Sequence, residues 1–203
     1  MRLETREAGF SYILGREPVL QRVTISVDSR ERVGLSAPSG YGKSTLCRLL
    51  SGYLQPDHGE VLLDGHELPR RGYCPVQLVH QHPEQAVNPR LRLQDTLAEG
   101  GELDPVLLEN LGIETAWLQR FPGELSGGEM QRFCIARALN PITRFLIADE
   151  ITTMLDMITQ AQIWDLLLRV SEEREMGLVI VSHSRPLLER VCTRIVDMEA
   201  INN

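Results

Sequence analysis

Apolar and polar positions alternate over 22–27, with Val23, Ile25 and Val27 set against Arg22, Thr24 and Ser26, and a similar pattern recurs over 60–64. A period of two predicts strands that each cover one face. Arg32-Val33-Gly34-Leu35-Ser36 reads as a short buried strand running into a glycine-rich turn. The period then changes: Leu46, Leu49 and Leu50 share one side of a helix expected from Ser44 to Leu50 and stopped by Gly52. Further strands are expected at 77–81, 144–149 and 178–182. In the last two, Phe145-Leu146-Ile147-Ala148 and Leu178-Val179-Ile180-Val181 are unbroken apolar runs, as in parallel strands covered on both faces.

From about 90 to 140 the pattern becomes one of short helices, punctuated by Gly100-Gly101, Pro105, Gly112 and Pro122-Gly123. A long helix is expected near 159–175, with Ile163, Leu166, Leu167 and Val170 at helical spacing. Strands and helices in this order predict an α/β core with a helical segment inserted into it.

Composition sets limits. The 203 residues suffice for one buried domain. A net charge of -7 argues against a broad nucleic-acid footprint, which needs clustered Lys and Arg. Cys47, Cys74, Cys134 and Cys192 are scattered with no C-x-x-C pair, as expected of reduced thiols. Met1-Arg2-Leu3-Glu4-Thr5-Arg6-Glu7 lacks the apolar run of a signal peptide, and no stretch reaches the roughly 20 apolar residues of a membrane span. Any membrane role is expected to be peripheral.

Two segments carry the chemistry. In the first, a strand, then Ser39-Gly40-Tyr41-Gly42-Lys43-Ser44-Thr45, then a helix is the context of a phosphate-binding loop. Glycines let backbone N–H groups turn inward around phosphates, and the helix N-terminus adds partial positive charge. Lys43 would reach the outer phosphates and the Ser44 hydroxyl would ligate Mg²⁺. The pattern G-x-x-x-x-G-K-[ST] is broken by Ala37 in the first glycine's place; if that position needs positive φ, Ala costs about 1–2 kcal/mol. In the second segment, Leu125-Ser126-Gly127-Gly128-Glu129-Met130-Gln131-Arg132, Ser126 and Glu129 fit a capping box. A capped helix alone leaves Gly127 and Gly128 unexplained, whereas paired glycines allow a phosphate to approach closely.

Phe145-Leu146-Ile147-Ala148-Asp149-Glu150 is an apolar strand ending in two acids: Asp149 can hold the Mg²⁺ shell and Glu150 can polarise an attacking water. His183 ends the next buried strand, and Gln81 ends another.

In this order the motifs resemble those of ATP-binding-cassette (ABC) ATPases over nearly the whole chain. The resemblance implies a P-loop α/β fold: a mostly parallel core sheet with helices on both faces, an N-terminal antiparallel β subdomain, and an inserted helical subdomain. It implies a single domain over 1–203, with the core in 1–84 and 140–203 and the helical part in about 85–139. ATP and Mg²⁺ are the implied ligands. Tyr12 resembles the aromatic that stacks on adenine, Gln81 the loop glutamine that senses Mg²⁺ and water, His183 the switch histidine, and Asp156 the loop aspartate that crosses a dimer interface. Ser126, Gly127 and Gly128 would close over ATP held by another subunit's phosphate loop. Ile151 stands for the family's Pro, Thr153-Met154 for Ser-Ala, and Glu129 for Gln.

Gln81-His82-Pro83-Glu84-Gln85-Ala86-Val87-Asn88-Pro89-Arg90 resembles the Q-D-P-x-x-S-L-N-P-R stretch of oligopeptide, dipeptide and nickel importer ATPases. Phe121-Pro122-Gly123-Glu124-Leu125 is similar to that group's Y-P-H-E-L. His80 and His82 replace Phe and Asp there, and as a strand-end pair they read as packing and surface rather than a metal site. The family normally continues past Ile195-Val196-Asp197-Met198-Glu199 with further strands and a proline-rich, sometimes cysteine-bearing tail, from which nothing is carried over to this sequence.

The resemblance thus implies an importer motor on the cytoplasmic face of the inner membrane. It implies pairing with a second ABC ATPase, a paralogue in preference to a second copy, and binding of permease helices near 81–95. A solute-binding protein would be an indirect partner, and no nucleic acid is expected. A non-transport accessory ATPase, as in phosphonate breakdown, and a cassette that binds ATP without turnover stay open.

Overall fold

In the computed structural model, residues 1–13, 17–101, 104–153 and 155–202 are described. The chain opens with an antiparallel hairpin of β1 (Arg2–Phe10) and β2 (Leu20–Asp28), followed by β3 (Arg32–Ser36) and α1 (Lys43–Leu50). A second hairpin, β4 (His58–Leu63) and β5 (His66–Glu67), turns at Asp64 and Gly65, both at positive φ. After β6 (Val76–Val79), every described element from Pro83 to Ala138 is helical: three short 3₁₀ turns with α2 (Leu93–Ala98), α3 (Pro105–Asn110) and α4 (Gly127–Ala138). The chain then alternates through β7 (Phe145–Asp149), α5 (Met157–Glu173), β8 (Gly177–Val181), α6 (Arg185–Val191), β9 (Arg194–Asp197) and α7 (Met198–Ile201).

The strands form two sheets. One is antiparallel in the order β2-β1-β4-β5; the other is parallel in the order β6-β7-β8-β3-β9. The fold is α/β, as expected. The continuous apolar runs are explained by two cores on opposite faces of the parallel sheet. Phe145, Ile147, Val179 and Val181 join Leu46 and Leu49 of α1 and the inner face of the antiparallel sheet. The alternate residues Leu146, Ala148, Leu178 and Ile180 join Phe133 and Ile135 of α4 and Ile163 and Leu167 of α5. With no polar face to keep, these strands lose the period of two.

Two expectations shift. The strand expected at 77–81 ends at Val79, whose pairing with Ala148 is the last between β6 and β7, so Gln81 lies two residues beyond the strand in the following bend. The long helix starts at Met157 because Asp156 caps it, accepting from the N–H groups of Ile158 and Thr159, both at 3.0 Å. That use of the side chain depresses the Asp156 carboxyl below its ordinary range, chiefly through the Thr159 hydroxyl.

Candidate nucleotide site

The parallel sheet brings the site together. All five strands run the same way, so their carboxyl ends form one edge, and ligands of open α/β sheets bind outside that edge. From β3 the chain passes through Ala37–Gly42 into α1. Gly40 and Gly42 take φ of +91° and +82°, which a side chain resists. Gly42 is also hemmed in: a Cβ there would lie 2.7 Å from Leu20 Cδ2. Ala37 is not among the described residues with positive φ, so the cost foreseen for its Cβ is not incurred; it packs instead against the core beneath the loop.

Lys43 is buried, and its Nζ donates to the carbonyls of Ala37 at 2.7 Å and Pro38 at 2.8 Å. These bonds hold the ammonium inside the turn, next to the N–H groups that open α1. Thr45 is buried one turn in, 3.2 Å from the Tyr12 hydroxyl. The ring of Tyr12 stays exposed and meets Phe10 edge-on at 5.0 Å. Tyr41 is exposed at the tip of the loop.

Asp149 ends β7, only 6% exposed. Burial pushes its carboxyl above the usual carboxylate range, while a hydrogen bond from Ser44 works in the other direction. Its Oδ1 is buried and has no hydrogen-bond partner. An orphaned carboxylate oxygen beside a serine hydroxyl at the loop is a hard-oxygen donor set that fits Mg²⁺.

Glu150 follows at φ +52°, in the left-handed region unusual for a residue with a side chain. Its two carboxylate oxygens are both engaged: Gln81 Nε2 donates to Oε2 at 3.1 Å, and His183 Nε2 lies 2.8 Å from Oε1. The register explains the meeting, since Asp149 pairs with Val181 and the residues just beyond each strand end come side by side. Gln81, Glu150 and His183 thus form one cluster facing Gly40, Lys43 and Ser44 across a cavity of about 360 Å³. Ser39, Gly42 and Thr45 complete the expected lining, and Val19 adds an apolar wall that the sequence reading did not single out. Its only signal was a valine just ahead of an alternating strand.

Tyr12, Tyr41, Ser126, Gly127, Gly128 and Asp156 do not line this cavity. Ser126 caps α4 in the expected reciprocal box: its Oγ accepts from the Glu129 N–H at 3.3 Å, and Glu129 Oε2 accepts from the Ser126 N–H at 2.7 Å. The Ser126 hydroxyl also depresses the Glu129 carboxyl. A Cβ on Gly128 would stand 3.1 Å from Leu155 Cδ2, so the start of α4 abuts the loop that carries Asp156. In that loop Ile151 is buried in the core, and Met154 lies outside the described residues. His80 meets Tyr53 edge-on at 5.3 Å and His82 lies 3.5 Å from Glu84; no metal-binding group of three His, Cys, Asp or Glu occurs among the described residues.

The family model described as ABC transporter matches residues 20–153, more than half of the chain. The chain belongs to the ABC transporter ATPase family. As a member it is an ATPase that works with ATP and Mg²⁺. The nickel import ATP-binding protein NikE of Rhodospirillum rubrum is 36% identical to it, over 97% of this chain and 80% of that protein. The methionine import ATP-binding protein MetN of Caulobacter vibrioides is 32% identical, over 94% of this chain and 62% of that protein. Among solved structures, a dimeric ATP-binding cassette in a post-hydrolysis state bound to ADP and Pi superposes with a TM-score of 0.82 at 26% identity, covering 96% of this ABC ATPase and 93% of that chain. No helix among the described residues of this ATPase is long and apolar enough to cross a membrane.

Proposed function

We propose that this ABC ATPase is the motor subunit of an importer, acting in a pair of cassettes that each hold ATP against the other's signature. Its cargo would be nickel complexes or peptides. The observation that carries the hydrolytic reading is Glu150, held at both oxygens by Gln81 and His183 opposite Lys43. A carboxylate fixed in this way can accept a proton from a water aligned with the outermost phosphate. His183 and Gln81 hold Glu150 in place and stand within reach of the same phosphate, while Lys43 and the turn of Gly40 and Gly42 carry its charge. Ser44, Asp149 and Gln81 would hold Mg²⁺, which supplies charge neutralisation on the phosphate oxygens. Tyr12, beside Thr45, would stack on the adenine, with Tyr41 and Ser39 flanking the phosphates.

Ser126, Gly127, Gly128 and Asp156 lie off this cavity, which supports giving them to the partner cassette's nucleotide. Residues 85–139 act as a helical subdomain that bears this signature, while 1–84 and 140–203 form the core. Permease helices would dock near 81–95, placing the subunit peripherally on the cytoplasmic face of the inner membrane, with a solute-binding protein across it. The kinship with NikE and the Gln81–Arg90 stretch support nickel or peptide import and a paralogous partner.

Glu150→Gln should slow single-turnover hydrolysis by about 10²–10⁴-fold while the nucleotide still binds. Rates equal to wild type would remove Glu150 from its role. Copurification with a multi-span membrane protein supports transport, and isolation in a soluble multi-enzyme complex would sink it.

A further inference from the structure

We propose that Asn202 is a positioning residue of the nucleotide site: its carboxamide ties the start of β2 against the phosphate loop and so sets the wall that Val19 forms. The proposal rests on reading the cavity as the ATP site.

β2 is the edge strand of its sheet, covered on one side by β1. The Val19 N–H donates to the Phe10 carbonyl at 2.9 Å. Asn202, 183 residues away in sequence, makes the remaining bonds: its Nδ2 donates to the Val19 carbonyl at 2.9 Å, and its Oδ1 accepts from the Gln21 N–H at 2.9 Å. One side-chain amide offers a donor and an acceptor together, as a peptide group does. The start of the strand is thereby held from two sides.

What it is held against is the loop. A Cβ on Gly42 would stand 2.7 Å from Leu20 Cδ2, 3.1 Å from the Val19 carbonyl oxygen and 3.3 Å from Val19 Cγ1. Gly42 has φ +82° and directly precedes Lys43. At such spacing a displacement of Val19 reaches both the cavity wall and the turn that aims Lys43.

The tether is itself anchored. The Asn202 N–H donates to the Met198 carbonyl at 3.0 Å, Met198 is fully buried, and Ile201 packs on the core that contains Leu20, Leu35 and Leu46. β9, which leads into α7, pairs with β3 at Ser36↔Asp197. A ring therefore closes: β3, the loop, Gly42, Val19, Asn202, α7, β9 and β3 again.

The test is equilibrium binding of Mg·ADP and of a non-hydrolysable Mg·ATP analogue to the full chain, with Tm measured in parallel. Asn202→Ala should weaken both nucleotides about fivefold, the loss of one or two net hydrogen bonds. Asn202→Asp keeps the acceptor for Gln21 but turns a carboxylate toward the Val19 carbonyl, and should weaken them at least as much. Val170→Ala, on α5 in the opposite core and away from the tether, should lower Tm with affinity unchanged. The tether is overturned if both Asn202 variants bind as wild type does, whatever their Tm. It is also overturned if Val170→Ala loses as much affinity at an equal loss of Tm. Should Asn202→Ala fail to fold, the Asp variant against Val170→Ala decides alone. Wild-type protein that binds neither nucleotide sinks the site reading itself and the tether with it.

Discussion

The cluster of Gln81, Glu150 and His183 and the signature at Ser126–Glu129 are built in opposite ways. The cluster is made by long-range architecture, since its hydrogen bond from Gln81 to Glu150 spans 69 residues and exists because parallel strands end on one edge. The signature is made locally, with Ser126 and Glu129 satisfying one another three residues apart. The first places its polar groups into a shared cavity; the second spends its polar groups on its own helix and leaves glycines at the front. If the signature meets a different chain's nucleotide, as proposed, it gains from being locally self-sufficient, because nothing in its own fold has to move for it to form. A cluster proposed to carry hydrolysis gains from dependence, because its geometry then follows the sheet.

If that contrast holds, damage should spread differently from the two regions. The largest effect is expected at the cluster: His183→Ala frees one Glu150 oxygen and should slow single-turnover hydrolysis about 10²-fold with Tm nearly unchanged. Rates close to wild type would show that Gln81 alone positions Glu150. Next comes Gly42→Ala, where the Cβ meets Leu20 at 2.7 Å in a left-handed turn. It should lower stability by about 2–3 kcal/mol in chemical denaturation and weaken nucleotide binding together. A fully stable variant would mean that the loop relaxes freely and does not lean on β2.

The smallest effect belongs to the signature. Ser126→Ala removes the α4 cap and should cost about 1 kcal/mol of stability, with nucleotide binding to the isolated chain intact. Loss of binding there would break the division between the regions. Glu129 adds a pH signature: its carboxyl is depressed by Ser126, so its contribution is present at neutral pH and is lost on acidification through the carboxylate range. The Ser126→Ala deficit should accordingly shrink in acid.

Legibility follows the same division. The capping box, the loop glycines and the buried strands β3, β7 and β8 were readable because each is encoded within a few residues. β1 was not: its buried residues are Leu3 and Thr5, then Ala8, Gly9 and Phe10. The register slips between Thr5 and Ala8, with Glu7 at φ +46°. The irregularity changes the phase of the alternation, so the strand does not scan as one. Gln81 lies beyond the strand end because the point where pairing stops depends on the neighbouring strand and is not encoded within β6 itself. The concern over Ala37 came from a motif letter, and the backbone there has no need of glycine. Asn202 left no local mark and Val19 only its place ahead of an alternating strand, since their meaning lies in a contact between opposite ends of the chain.

Glu150 sits where its own backbone would prefer another residue. A side chain at φ +52° costs about 1–2 kcal/mol that glycine or asparagine would largely avoid. Selection for folding alone would therefore drive this position away from glutamate. A copy of the gene released from the need to hydrolyse ATP should drift here early, toward glycine or asparagine, before it loses its cores. If Glu150 carries hydrolysis as proposed, the identity of this one residue in a relative would tell whether its lineage still burns nucleotide.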